Sequence, residues 1–167
     1  MRPVATAEFD PTPLLELLVR HRVDFVVVGG LAAAARGSGR ATFDLDIAYA
    51  RDEENLERLA AALHEAGAKL RGAPAAVPFL LDAETLKRGS NFTFSTRNGP
   101  LDILGDPAGA PSYRELLAAA TPVDVRGVTI FVASLDHMIA MKEATGRPQD
   151  KTVAAELRVI SDELRAT

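Results

Sequence analysis

A continuous apolar run that stops at two glycines is the feature that most constrains the fold of this chain. The run "DFVVVGG" (24–30) is short, and its unbroken apolar character is typical of a strand inside a sheet. The alanine-rich segment "LAAAARGSG" (31–39) follows at once and predicts a short helix that ends at Gly37 or Gly39. The chain is therefore expected to turn directly from a buried strand into a helix.

The next segment, "TFDLDIAYA", alternates strictly between apolar and other residues and predicts a second strand. Because alternate side chains of a strand share a face, Asp44 and Asp46 are expected to lie together on one face. The other face is expected to be core, formed by Phe43, Leu45 and Ile47. Solvent exposure alone would explain one such pair of acidic residues. Aspartate is nevertheless a poor strand former, and two like charges on one face repel each other unless a cation lies between them.

The remaining pattern predicts a mixed α/β (α+β) fold in which helices flank a mixed sheet. Asp10 or Thr12 can cap a first helix, and the Asn98-Gly99 pair marks a hairpin. A strand-like segment is interrupted at Arg126-Gly127, and Ser134 can cap the first of two C-terminal helices. The clearest amphipathic helix is predicted over 52–67, whereas the stretch 72–78 has no clear pattern. We expect a single domain over 1–167, with a core over about 10–133 and a C-terminal helical part over about 134–167.

Composition narrows the classes of protein that the chain can represent. The chain has 167 residues and a formal net charge of −4, which argues against a general polyanion binder but not against a local basic groove. It has no cysteine, which excludes disulfides, thiolate metal sites and cysteine nucleophiles. The N-terminal residues lack the apolar core of a signal peptide, and no apolar run is long enough to span a membrane. The expectation is a cytoplasmic protein without a membrane partner.

The paired carboxylates and the preceding glycines together suggest a site for a nucleoside triphosphate. Carboxylate oxygens without nearby histidine or cysteine favour Mg²⁺. Gly29 and Gly30 end a strand and open a helix, where free backbone N–H groups suit a phosphate and the absence of a side chain allows close approach. A phosphate cradle beside a metal-binding carboxylate pair is the equipment for handling such a nucleotide.

The spacing GG-(x)13-D-x-D, with Arg40 and Thr42 just before the first aspartate, resembles the nucleotidyltransferase superfamily related to polymerase beta. The resemblance implies the fold of that superfamily and a nucleotide-binding role for the two glycines, Arg40 and Thr42. It also implies a third metal-binding carboxylate from a nearby strand. Asp102, in "GPLDIL", is the best candidate, and Asp82 and Asp106 are weaker ones.

A second block, "VASLDHMIAMKEATGRPQDKTVAAEL", resembles small bacterial members of this superfamily, including AbiEii-type toxins of toxin–antitoxin pairs. The resemblance implies that Lys142 neutralises triphosphate charge and that Arg147 contacts phosphate or acceptor. Asp150 would orient the lysine or simply cap the last helix. One departure is Gly30, where many relatives have serine, so that a hydroxyl contact to phosphate would be missing. Another is the lack of an appended helical domain.

The resemblance implies transfer of a nucleoside monophosphate from an NTP, ATP among them, to an acceptor hydroxyl. Two Mg²⁺ ions, or Mn²⁺, would be held by Asp44, Asp46 and Asp102, with Lys142 also catalytic. Three interpretations remain open. The first is a toxin that modifies RNA, with a tRNA end as acceptor and a cognate antitoxin as partner. The second is an enzyme that modifies a small molecule of the antibiotic type, and the third is a non-catalytic nucleotide-binding protein.

Overall fold

The computed structural model of the chain describes residues 9–74 and 78–167. Within these residues, seven strands form one mixed sheet. The strands are β1 (Phe25–Val28), β2 (Leu45–Tyr49), β3 (Lys69–Leu70), β4 (Asn91–Thr96), β5 (Gly99–Leu104), β6 (Thr121–Val125) and β7 (Val128–Val132). The helices are α1 (Thr12–Arg20), α2 (Gly29–Ala35), α3 (Glu53–Glu65), α4 (Ala83–Arg88), α5 (Tyr113–Ala119), α6 (Leu135–Ala144) and α7 (Pro148–Arg165).

The sheet has the strand order β3-β4-β5-β2-β1-β7-β6, so β1 lies inside it as its unbroken apolar sequence predicts. β1 pairs antiparallel with β2 and parallel with β7, and every residue of β1 is buried. β2 pairs in parallel with β5, and in that register Asp46 lies opposite Asp102. The prediction of a mixed α/β fold is confirmed.

The two faces of β2 differ in character. Leu45 and Ile47 are fully buried in the hydrophobic core. The opposite face carries Asp46 and lies under α6 and α7, since Met138 and Leu157 line the same cleft as this aspartate. Helix α6 packs against α2 and α7, and helix α3 packs against α1 and α4.

The prediction that Phe43 belongs to the core is wrong. β2 begins only at Leu45, and the side chain of Phe43 is 75% exposed. The alternation of apolar and acidic residues begins before the strand itself, so it does not predict burial at Phe43. The strand is therefore shorter than its sequence pattern.

Other boundaries also differ from the sequence pattern. α2 begins at Gly29, immediately after β1, and not at the alanine run. Between residues 67 and 91 the structure adds the short elements β3 and α4, which have too few residues to show a period. Asp82, a weaker candidate for the third carboxylate, caps α4 by accepting a hydrogen bond from the backbone N–H of Thr85. The predicted hairpin at Asn98-Gly99 and the Ser134 cap of α6 are confirmed. The predicted interruption at Arg126-Gly127 is the turn between the antiparallel strands β6 and β7.

In the part of the chain that the structure describes, no helix combines the length and apolar character needed to cross a membrane.

A buried asparagine joins the first two strands of the sheet to α3. Asn55 is fully buried. Its Oδ1 accepts from the backbone N–H of Asp24 (2.7 Å), and its Nδ2 donates to the carbonyls of Asp24 (3.1 Å) and Ala50 (2.7 Å). These bonds connect the residue that precedes β1 with the residue that follows β2.

We predict that Asn55→Ala lowers the free energy of unfolding by about 3 kcal/mol, because it leaves buried backbone groups without partners. Glu57→Ala, an exposed change on the same helix, serves as the control and is expected to stay within about 0.5 kcal/mol of the parent. Urea unfolding measures both. Equal effects of the two substitutions would contradict the assigned role of Asn55.

Candidate active site

Three aspartates meet on the face of the sheet that lies under α6 and α7. Asp46 on β2 and Asp102 on β5 are register partners, and Asp44 lies on the same face just before β2. One carboxylate oxygen from each of the three lies within 4.8 Å of the others. The parallel pairing of β2 and β5 thus brings together carboxylates that are far apart in sequence.

The electrostatics of this triad (Asp44, Asp46 and Asp102) disfavour three negative charges without a counterion. Burial, followed by the charges of Asp44 and Asp102, raises the pKa of Asp46 to about 7. Burial and then Asp102 also raise the pKa of Asp44. Arg71 offsets part of this repulsion, because its Nη2 donates to Asp102 Oδ1 at 2.7 Å. A divalent cation among the carboxylates would remove the remaining repulsion, and their hard oxygens suit Mg²⁺ or Mn²⁺.

The turn between β1 and α2 lies directly against this triad. Gly29 has φ +72°, and a Cβ atom at this position would lie 2.0 Å from Asp46 Oδ2. Both its backbone conformation and the lack of space therefore require glycine. The turn therefore lies closer to the Asp46 carboxylate than any residue with a side chain would allow.

Thr42 lies beside the second glycine of this turn. A Cβ atom at Gly30 would be 3.2 Å from Thr42 Oγ1. That oxygen is buried and has no hydrogen-bond partner among the described residues. The structure places the Thr42 hydroxyl next to the Gly30 position.

A basic wall faces the triad across the cleft. Asp150, which is only 5% exposed, accepts from Thr145 Oγ1 (2.6 Å) and Arg147 Nε (2.8 Å). Lys142 Nζ lies 3.6 Å from the other carboxylate oxygen of Asp150. The hydrogen bond from Thr145, together with Lys142 and Arg147, lowers the pKa of Asp150. A buried, ionised carboxylate therefore holds two cations at the wall of the cleft.

Arg40 makes a different contact from the phosphate contact that the sequence suggests. Its Nε and Nη2 each donate to the Glu156 carboxylate on α7 at 2.7 Å. This bidentate pair fastens the segment before the triad to the last helix. Arg40 still lines the cleft, so a bound anion would compete with Glu156 for it.

The triad, the glycine turn and the basic wall line one cleft of about 600 Å³. This volume lies within the usual range for small-molecule sites. The sequence reasoning missed Arg71 and the apolar part of the lining. The apolar side chains on α6 and α7 are Met138, Met141, Val153 and Leu157. Their spacing in the sequence predicts an apolar helix face. It does not show whether that face lines a cleft or packs in the core.

Solved structures with the same architecture are nucleotidyltransferases by name. A protein of Thermotoga maritima provisionally described as a nucleotidyltransferase is 21% identical, with a TM-score of 0.56 over 91% of this chain and 90% of that chain. The lincosamide antibiotic adenylyltransferase LnuA, with lincomycin bound, is 15% identical, with a TM-score of 0.59 over 89% and 94%. The chain has the nucleotidyltransferase fold.

A third nucleotidyltransferase-fold structure, ANT(2″)-Ia in complex with adenylyl-2″-tobramycin, is 15% identical, with a TM-score of 0.54 over 92% of this chain and 93% of that chain. No family model matches the sequence, and no curated protein is significantly similar to it. At these identities the likeness shows the fold alone. The relation to AbiEii-type toxins stays a prediction.

We predict that Asp46→Asn stabilises the metal-free protein, and more so at pH 8 than at pH 5. The pKa of Asp46 is raised from 3.8 to about 7 in the folded state, so its contribution to stability is present below about pH 4 and is lost as the pH rises through about 7. The substitution removes this loss. The expected gain at pH 8 is roughly 1–3 kcal/mol in urea unfolding with EDTA present. Asp162→Asn, an exposed change, is the control, and a gain independent of pH would contradict the prediction.

We predict that Gly29→Ala destabilises the protein by about 2 kcal/mol more than Gly146→Ala. The two glycines have nearly equal φ values, +72° and +71°, but a Cβ atom at Gly146 meets nothing within 4 Å. Both substitutions therefore carry the same backbone cost, and the difference between them isolates the clash with Asp46. Equal unfolding free energies for the two variants would show that the turn does not press on the carboxylate.

Proposed function

We propose that the protein is a Mg²⁺-dependent nucleotidyltransferase that moves a nucleoside monophosphate from an NTP to an acceptor hydroxyl. The observation that carries this proposal is the triad, whose oxygens lie within 4.8 Å of one another beside a cleft lined by basic side chains. A structural carboxylate cluster would be expected to keep its charges balanced by neighbouring cations. Here the pKa of Asp46 is raised to about 7, which is typical of functional sites.

The residues present fit a pair of divalent ions. Asp44 and Asp46 would hold both ions, and Asp102 would hold the ion on the acceptor side. When bound, such ions supply Lewis acidity that balances charge on the attacking and leaving oxygens of an in-line displacement. Mn²⁺ would satisfy the same oxygen ligands, and the donor set alone does not select between the two metals.

The triphosphate would lie between the glycine turn and the basic wall. Backbone N–H groups of Gly29 and Gly30 would donate to phosphate oxygens, with the Thr42 hydroxyl beside them. Lys142 and Arg147 would neutralise charge on the β- and γ-phosphates from the opposite side. Asp150 would act as a positioning residue, because it already holds both cations at this wall.

In the reaction, an acceptor oxygen forms a bond to the α-phosphorus, and the bond from the α-phosphorus to the oxygen bridging to the β-phosphate breaks. The hydroxyl proton would pass to the carboxylate of Asp102 and then to solvent. The electron pair of the broken bond leaves with pyrophosphate. Lys142, which lines the same cleft as the triad, would balance the charge that develops on this leaving group.

For the acceptor we favour an RNA end, with a tRNA as the class of substrate and a toxin–antitoxin role in the cytoplasm. The block that carries Lys142, Arg147 and Asp150 supports this interpretation. A small-molecule acceptor is the second candidate, because the chain aligns over about nine-tenths of two antibiotic-related structures, LnuA and ANT(2″)-Ia. A non-catalytic role is disfavoured by the intact triad.

We predict that the purified protein with Mg²⁺ transfers label from one of four α-labelled NTPs to total tRNA. Asp44→Asn or Asp102→Asn should lower the transfer rate by more than about 100-fold, because each removes charge that the transition state needs. Asp136→Asn, an exposed change on α6, is the control and should leave the rate unchanged.

The outcomes of this assay separate the candidates. Label on RNA that disappears with the triad variants supports the favoured acceptor. Label on an added aminoglycoside or lincosamide, with none on RNA, supports the small-molecule acceptor. If neither the removal of Mg²⁺ nor the variants Asp44→Asn and Asp102→Asn change nucleotide binding, the proposed function is wrong.

A further inference from the structure

The polar row that contains two of the triad carboxylates continues across the sheet to its edge. Asp46 on β2 is opposite Asp102 on β5, and Asp102 is opposite Thr93 on β4. The backbone N–H of Arg71, just after β3, donates to the Thr93 carbonyl at 2.9 Å. Side chains in register on neighbouring strands share a face, so Arg71 and Thr93 lie on the face that carries the triad.

A second set of side chains extends this face. Lys69 is the register partner of Ser95, and Asn91 is the register partner of Leu104 beside the cleft. Lys69 lies two residues from Arg71, and Asn91 and Ser95 each lie two residues from Thr93. These three side chains therefore lie on the same face as the first row. We call the set formed by Lys69, Arg71, Asn91, Thr93 and Ser95 the wing surface.

The wing surface is open, whereas its reverse side is core. Its five side chains are exposed. On the reverse side, Phe94 is fully buried, and its ring packs 6.0 Å from that of Phe92 and 6.2 Å from that of Phe79. The core therefore fixes the strands so that hydroxyl, amide and basic groups must face outwards.

The wing surface is positively charged. It adjoins the triad at Asp102, the carboxylate on the acceptor side. Arg71 Nη2 donates to Asp102 Oδ1 (2.7 Å) and to the carbonyl of Phe94 (2.8 Å), so the guanidinium is held at the boundary between triad and wing. Lys69 adds a second cation at the edge strand. The basic wall of Lys142 and Arg147 lies within the cleft and is assigned to the triphosphate.

We propose that the wing surface binds the last nucleotides of a single-stranded RNA and directs its 3′ hydroxyl to Asp102. This inference rests on the proposed function and assigns the acceptor site that the function leaves open. A flat, exposed surface does not enclose a small molecule, which prefers a concave site. It suits a polymer that makes a succession of phosphate and sugar contacts with basic, hydroxyl and amide side chains.

Complementary charge supports this occupant in a protein of formal net charge −4. A general excess of positive charge is absent, so binding of a polyanion must depend on a local patch. Lys69 and Arg71 supply such a patch next to the carboxylate that would receive the acceptor proton. Arg71 is the wing residue in direct contact with the triad and is expected to contribute most.

The test measures binding of RNA by the full chain without requiring catalysis. A fluorescent single-stranded oligoribonucleotide of about 12 nucleotides with a free 3′ hydroxyl is titrated with protein in Mg²⁺, and anisotropy is recorded at several salt concentrations. We predict that Lys69→Gln/Arg71→Gln weakens binding by about 10-fold and lowers the salt dependence by one to two phosphate contacts.

A matched control removes the same charge elsewhere. Lys87→Gln/Arg88→Gln changes two exposed cations at the end of α4, which packs on α3, and should leave RNA affinity within about two-fold. Arg71→Lys keeps the positive charge and should retain most of the affinity. Urea unfolding and Mg²⁺-dependent NTP binding show that the wing variants remain folded with a nucleotide site. Lys69→Gln alone leaves the contact between Arg71 and Asp102 intact and should therefore leave NTP affinity unchanged.

Three results would overturn the inference: no RNA binding by the parent protein at low salt, equal affinity of the wing variant, or an equal loss in the control. The NTP measurement separates this failure from failure of the proposed function. If NTP binding requires Mg²⁺ and the triad while RNA binding does not involve the wing surface, only the acceptor site is wrong. If NTP does not bind, the proposed function itself is wrong.

Discussion

Electrostatic repulsion among three carboxylates is the constraint on which the arrangement of this protein depends. Asp46 and Asp102 lie opposite each other because β2 and β5 are parallel neighbours, and Asp44 approaches from the residue before β2. The buried strand β1 and the core beneath β2 hold the carboxylates in place although burial and like charge raise the pKa of Asp46 to about 7. A pKa perturbed in this way is typical of functional sites.

The triad is surrounded by the glycine turn and by two basic groups. Gly29 brings the β1–α2 turn against Asp46, which leaves no room for a side chain at this position. Across the cleft, the buried carboxylate of Asp150 holds Lys142 and Arg147. At the sheet edge, Arg71 contacts Asp102. The triad thus lies between two basic groups, to which we assign the triphosphate and the acceptor in the proposals above.

Much of this arrangement follows from local sequence patterns. The apolar run before Gly29 predicts an internal strand, and the alternation that follows predicts that Asp44 and Asp46 share a face. Both features are local, and both are present in the structure. Asp102 required a family resemblance, because nothing in its own short strand indicates which strand it will pair with.

Contacts between distant segments could not be predicted from the sequence. Arg71 reaches Asp102 only because the two-residue strand β3 pairs with β4, and so short a strand has no detectable period. The pairing of Arg40 with Glu156 depends on how α7 packs over the sheet. Phe43 shows a different limit of sequence patterns. It fits the alternation of a strand, but β2 begins only at Leu45. Local periodicity reports the face of an element but neither its ends nor its neighbours.

A crystal structure with Mn²⁺ and a non-hydrolysable NTP analogue would test the central claim most directly. We expect anomalous density for manganese at roughly 2.2 Å from oxygens of Asp44 and Asp46, with the triphosphate between the β1–α2 turn and Lys142. Manganese bound away from these aspartates, or a nucleotide that binds elsewhere in the chain, would contradict it.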